Sequence, residues 1–258
     1  MTTEATDSRT DTDASGRRES WRATTWPLDK SDGLHLVIAL VAVIAVGVVI
    51  GELITNWSAL SWIVETDEDV AKNLADGHTE SANDLAHWGA FIADTPVKIG
   101  LSILVAGFFL WRWKRWHEAV LVASTLIFEA TAFIIITTIV KRPRPDVERL
   151  LESPVNSSFP SGHVAAATVY GALVVIVFWH TRAVWARALA VVLAIASPLV
   201  VAWARMYQGM HFLSDVIAGM VLGVVSIVIC ARILGSPPDA VGHQHSESAV
   251  GTTTEVSA

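Results

Sequence analysis

Six long apolar runs alternate with polar segments along the chain. They span Leu34 to about Trp57, Pro96 to about Leu110, Ala119 to about Val140, His163 to about Trp179, Ala188 to about Ala204, and Phe212 to about Leu234. At roughly 1.5 Å of rise per residue, runs of about 20 residues cross ~30 Å of hydrocarbon as helices. The expected fold is all-α: a six-transmembrane helical bundle over 34–234, flanked by polar tails. Residues 1–33 are rich in Thr, Asp, Ser and Arg, and 235–258 carries Pro237-Pro238 with many Ser, Thr and Gly. Such segments bury too little apolar surface to fold, so both tails are expected to be disordered. The first apolar run begins too late and is too long for a signal peptide. The polar stretch Ser58–Asp94 suits short amphipathic helices at the membrane surface over Val70 to Leu85.

Composition agrees with this pattern. An apolar fraction of 52% in 258 residues, with a mean hydropathy of +0.48, excludes an ordinary soluble domain. Trp is frequent at the ends of the apolar runs, as an aromatic belt requires. Cys230 is the single cysteine, so no internal disulfide forms. No Cys/His cluster has zinc-ligand spacing, and no metal or cofactor is expected. Six spans put both tails on one side. Arg17, Arg18, Arg22, Lys30, the basic turn 111–117, the link 180–187 and Arg232 then share that side, which the positive-inside rule makes cytoplasmic. The Ser58–Asp94 stretch holds eight acidic residues against one Lys, which suits the opposite face.

Three polar segments fall together on that opposite face. Lys141-Arg-Pro-Arg-Pro145 offers three cations on a backbone that its prolines keep out of helix. Phe159-Pro-Ser-Gly-His163 opens an apolar run, where free helix amides favour an anion. Arg205-Met-Tyr-Gln-Gly-Met-His211-Phe-Leu-Ser-Asp215 opens another, with His211 and Asp215 at i, i+4. On a helix that spacing brings both to one face, where a carboxylate fixes the imidazole tautomer and leaves the second ring nitrogen to attack. Each segment alone has an ordinary reading: a basic membrane edge, a helix cap, a satisfied polar pair. Their convergence on one face points to the handling of a phosphate. Glu129, midway along the third run, reads as a helix-packing carboxyl that must find a donor or be protonated.

These residues resemble the signature of the type 2 phosphatidic acid phosphatase superfamily: Lys-x6-Arg-Pro, then Pro-Ser-Gly-His, then Ser-Arg-x5-His-x3-Asp. Pro160 to His163 match the second element in full. Arg205, His211 and Asp215 match the third, with Ala204 in place of Ser. Arg144-Pro145 matches the end of the first, but its Lys position holds Thr137; aligning on Arg142-Pro143 puts Ile135 there instead. The resemblance implies a membrane phosphatase that acts on a lipid phosphate or diphosphate without a metal. His211 would be the nucleophile that forms a phosphohistidine, Asp215 would orient it, and His163 would protonate the leaving oxygen. Arg144 and Arg205, with Ser161 and Gly162, would hold the non-bridging oxygens, and Lys141 or Arg142 would stand in for the missing Lys. The expected partners are the lipid substrate and membrane lipids, with no nucleic acid. Polyprenyl diphosphate, phosphatidate and phosphatidylglycerophosphate all remain open as substrates. A vanadate-dependent haloperoxidase shares the signature, but its known members are soluble. A non-enzymatic lipid or phosphate transporter is the other alternative, against which stand the missing internal repeats and the intact His-His-Asp set.

Overall fold

The computed structural model describes residues 26–113, 116–151 and 157–235. Most of both expected tails, and Lys114-Arg115 of the basic turn, lie outside the described residues. The helices are α1 (Lys30–Asn56), α2 (Ser61–Asp76), α3 (Glu80–Phe91), α4 (Thr95–Trp113), α5 (Trp116–Val140), α6 (Gly162–Val169), α7 (Ala172–His180), α8 (Val184–Tyr207) and α9 (Leu213–Leu234). No strand occurs among the described residues. Helix α1 starts ahead of the expected Leu34 because Asp29 caps it: its carboxylate accepts from the Ser31 and Asp32 amides, and Asp32 returns the bond to the Asp29 amide.

Five helical stretches are long and apolar enough to cross a membrane: α1, α5, α6 with α7, α8 and α9. Helices α3 and α4, bent by 43° at their junction, pass the same test together and bring the total to six if the bent pair is one span. The protein is therefore a multi-pass membrane protein with the expected helical bundle. Residues such as Ile38, Val41, Ile103, Leu104, Val192 and Ile195 are more than half exposed, the surface that lipid covers. The 58–94 stretch forms two short helices, each of which buries one face in the bundle. Helix α3 sinks its Ala86 and Ala90 against Ala204 and Tyr207 of α8, and α2 buries Asp67 and Ala71.

Helix α6 sits at the centre, packed on α9, α8 and α5. Small residues make the approach to α9 possible. A Cβ on Gly219 would lie 2.5 Å from the Ser161 carbonyl oxygen, and one on Gly223 would lie 2.8 Å from the Ala165 carbonyl oxygen. Such backbone contact is how small-xxx-small faces pack in membranes. The crossing begun by α6 is broken at Tyr170–Gly171, where tight bonds run from the Gly171 amide to the Thr168 carbonyl (2.8 Å) and from the Val174 amide to the Gly171 carbonyl (2.9 Å). The Ser161 amide donates to the Asp215 carbonyl at 3.0 Å, so the start of α6 is pinned to the first turn of α9.

Gly219→Ala is expected to push α6 away from α9, at a cost on the order of 1–3 kcal/mol. Thermal unfolding in detergent checks this, and an unchanged Tm would show that the contact carries no weight.

Candidate active site

Ser161 precedes α6, and the amides of Gly162 and His163 at its first positions donate to no group among the described residues. The Ser161 hydroxyl is fully buried and has no hydrogen-bond partner. Gly162 is required by crowding, since a Cβ there would lie 2.6 Å from the Phe133 ring. The result is a set of uncommitted donors at a helix N-terminus, the arrangement that binds an anion.

His211 is buried beside it. Its Nδ1 donates to the Ser158 carbonyl at 2.8 Å, which fixes the tautomer and leaves Nε2 as the atom with a lone pair. Burial, and then the positive charges of Arg205 and Arg144, push the His211 pKa well below its ordinary value, so the ring is neutral at neutral pH. The charge of His163 also reaches His211. The two guanidinium groups are held in different ways. Arg144 donates to the carbonyls of Met210 and Ser157, the latter at 3.2 Å. Arg205 donates from Nη1 to Gln208 Oε1 at 2.9 Å, while its buried Nε has no hydrogen-bond partner.

Three expectations need correction. Asp215 does not hydrogen-bond the His211 ring; Nδ1 and Oδ2 are 3.9 Å apart. Its oxygens are taken by Arg142 Nη1 (2.6 Å) and by the Phe212 amide (2.9 Å). The i, i+4 argument fails because His211 precedes the cap residue of α9, Phe212. Arg142 does not replace the missing Lys either. It is buried, donates to Asp67 Oδ2 (2.8 Å), Ser214 Oγ (2.7 Å) and Asp215, and stacks on the Phe212 ring. Lys141 is exposed and takes a left-handed backbone (φ 49°).

Two carboxylates belong to the site that the motifs do not mark. Asp67 of α2 binds Arg142 and accepts from the Ser214 amide at 2.9 Å. Asp94, just ahead of α4, sits 3.1 Å from His163 Nε2. Both belong to an acidic stretch with nothing in its spacing to single them out. No group of three His, Cys, Asp or Glu side chains is arranged to hold a metal among the described residues.

An α-helical membrane bundle with two histidines, two arginines and a free helix N-terminus at one rim defines a phosphate-handling class of membrane protein. Residues 118–236 match the family model described as the PAP2 superfamily. Similar proteins include YbjG of Escherichia coli (strain K12), named for undecaprenyl-diphosphatase activity. It is 26% identical over 179 residues, which cover 67% of this chain and 83% of YbjG. Phosphatidylglycerophosphatase B of Bacillus subtilis (strain 168) is 28% identical over 150 residues, 57% of this chain and 70% of that one. The crystal structure of a transmembrane PAP2-type phosphatidylglycerolphosphate phosphatase from Bacillus subtilis superposes with a TM-score of 0.65 at 19% identity. The superposition covers 75% of this chain and 94% of the other.

Arg142→Met would leave Asp67 and Asp215 buried without their cation, and a loss of about 3–5 kcal/mol in stability is expected. Thermal unfolding and steady-state kinetics on one preparation separate the roles. A raised KM with an unchanged Tm would return Arg142 to the phosphate.

Proposed function

We propose that the chain hydrolyses a lipid phosphate or diphosphate through a phosphohistidine on His211, at the extracytoplasmic rim of the bundle. One observation carries this reading. The buried Ser161 hydroxyl and Arg205 Nε have no hydrogen-bond partner, the amides of Gly162 and His163 donate to no group among the described residues, and His211 commits only its Nδ1, to Ser158. Groups that costly to bury unpaired belong to a ligand.

In the proposed reaction the phosphate sits on the α6 N-terminus, with Arg144 and Arg205 against its non-bridging oxygens. The His211 Nε2 lone pair attacks phosphorus, and the bond from phosphorus to the leaving oxygen breaks. His163 delivers a proton to that oxygen, so a lipid alcohol or lipid monophosphate departs. Water then attacks the phosphohistidine and gives a proton to His163, which releases inorganic phosphate and restores both rings. Asp215 acts by holding the start of α9, and through it His211. Arginines and helix amides supply the charge stabilisation that phosphoryl transfer needs, so no metal is required. The polar rim above an apolar bundle suits a substrate with a long hydrocarbon tail. The names of the relatives favour a polyprenyl diphosphate or phosphatidylglycerophosphate, with phosphatidate as a third candidate.

Detergent-purified protein is expected to release phosphate from at least one of these three lipids in the presence of a chelator. His211→Ala abolishes release, His163→Ala lowers it by a factor on the order of 10² or more, and Asp215→Asn lowers it less than His211→Ala. Full activity in His211→Ala sinks the mechanism, and wild-type protein that releases nothing favours a transporter. Because the His211 pKa is depressed, the ring takes up its proton only well below pH 6.5. The acid limb of kcat/KM, which reports the free-enzyme base, therefore falls below that value. An acid limb at or above 6.5 assigned to His211 contradicts the buried, cation-flanked geometry.

A further inference from the structure

Position 137 is where the superfamily signature has its lysine, and there Thr137 is buried with a hydroxyl that has no hydrogen-bond partner. The alternative register, Ile135, is 36% exposed on the outer surface. Neither Lys141 nor Arg142 fills the gap, one being exposed and the other held by Asp67 and Asp215.

A cation reaches the same wall from another helix. Lys98 lies in the first turn of α4, and its amide donates to the Asp94 carbonyl at 2.9 Å. Asp94 and Lys98 are thus one turn apart, which puts their side chains on one face. The Asp94 carboxylate holds His163, so Lys98 rises beside that imidazole, and its charge is felt there. The Lys98 ammonium lies 3.8 Å from Glu129 Oε2, with side-chain exposures of 13% and 0%. Glu129, Phe133 and Thr137 follow at four-residue intervals along one stripe of α5. Phe133 is the ring that abuts Gly162 at the α6 N-terminus. Lys98 therefore meets this stripe at Glu129, about 12 Å of helix rise from Thr137. Its ammonium makes no hydrogen bond among the described residues, and neither Glu129 oxygen has a partner at hydrogen-bond distance. Three N–H donors and one positive charge remain available there.

We propose that Lys98 takes the place of the lysine absent at position 137 and donates from α4 to the substrate's phosphate, with Glu129 as the counter-ion that holds it when no substrate is bound. The proposal rests on the phosphatase reading above and names one more substrate-contacting residue. It also gives Glu129 a role, since a carboxylate at membrane depth needs a partner and an ammonium there needs one too.

The test uses the full-length protein in detergent, with orthovanadate as the probe for a tetrahedral anion and lipid phosphate turnover as the second readout. Lys98→Met is expected to weaken vanadate binding at least tenfold and to lower kcat/KM similarly, while Lys98→Arg retains part of both. Adding Thr137→Lys to Lys98→Met returns the cation from α5 and recovers most of the affinity. Wild-type affinity and turnover in Lys98→Met overturn the proposal and leave the His211 chemistry standing. Full vanadate affinity in Lys98→Met with Glu129→Gln also overturns it, because the lysine would then only neutralise Glu129. Loss of lipid turnover in His211→Ala alone, with Lys98→Met unaffected, separates the two readings. A wild-type protein that binds no vanadate removes both.

Discussion

Arg142 holds the candidate site from two directions at once. Its guanidinium binds Asp67 of α2 and Asp215 and Ser214 of α9. Its carbonyl accepts the Ser158 amide at 2.9 Å, and the Ser158 carbonyl accepts Nδ1–H of His211 at 2.8 Å. Side chain and main chain of one residue therefore fix both the helix that follows His211 and the acceptor that sets its tautomer. The energetics explain why the arrangement is rigid. A lone buried ion costs several kcal/mol, and here one cation meets two carboxylates with short bonds. Both carboxylates also accept amides at the start of α9, Asp67 from Ser214 and Asp215 from the cap residue Phe212. The positive end of the helix dipole offsets the surplus negative charge.

With Arg142 engaged in this way, the remaining groups divide cleanly. Arg144 and Arg205 raise the positive potential around His211, which keeps a buried imidazole neutral and ready to donate its lone pair. The same potential attracts the anion that the imidazole would attack. In the proposed reaction the two arginines thus add to the effect of burial on His211 and also draw in its anionic substrate. Close packing then sets the geometry. Gly219 lets the Ser161 backbone rest on α9, and Gly162 lets the Phe133 ring rest beneath the first turn of α6. A larger residue at either place would move the free amides away from His211.

The spans were legible in the sequence because lipid imposes a single long apolar signal on each. What hydropathy does not encode is a break inside an apolar run, such as Tyr170–Gly171, or a cap that lengthens a helix into polar sequence, as Asp29 does. The three motif segments were legible as a set, and the charges of Arg205, Arg144 and His163 all reach His211. Their partners were not legible. The spacing of His211 and Asp215 implies a contact only if both are helical, and His211 lies outside α9. Lys141, Arg142 and Arg144 are alike in composition, and only the fold decides which of them meets a carboxylate supplied from 75 residues earlier. Asp67 and Asp94 sit among other acids with no periodicity to mark them.

The same network removes a difficulty with charge placement. In the proposed orientation, the cations near residue 142 face the side that the positive-inside rule keeps poor in Lys and Arg. That rule weighs charges that must cross the membrane unaided. Arg142 is more than neutralised by two carboxylates, Lys98 stands against Glu129, and His163 against Asp94. Arg205, by contrast, bonds only a neutral amide oxygen through Nη1, and its Nε remains uncommitted among the described residues. Positive charge is therefore concentrated at the point where the Ser161 hydroxyl and the α6 amides also lack partners. A rim built this way has its electrostatic balance completed by an anion, and a lipid phosphate brings that anion in together with a tail that the bilayer already accommodates.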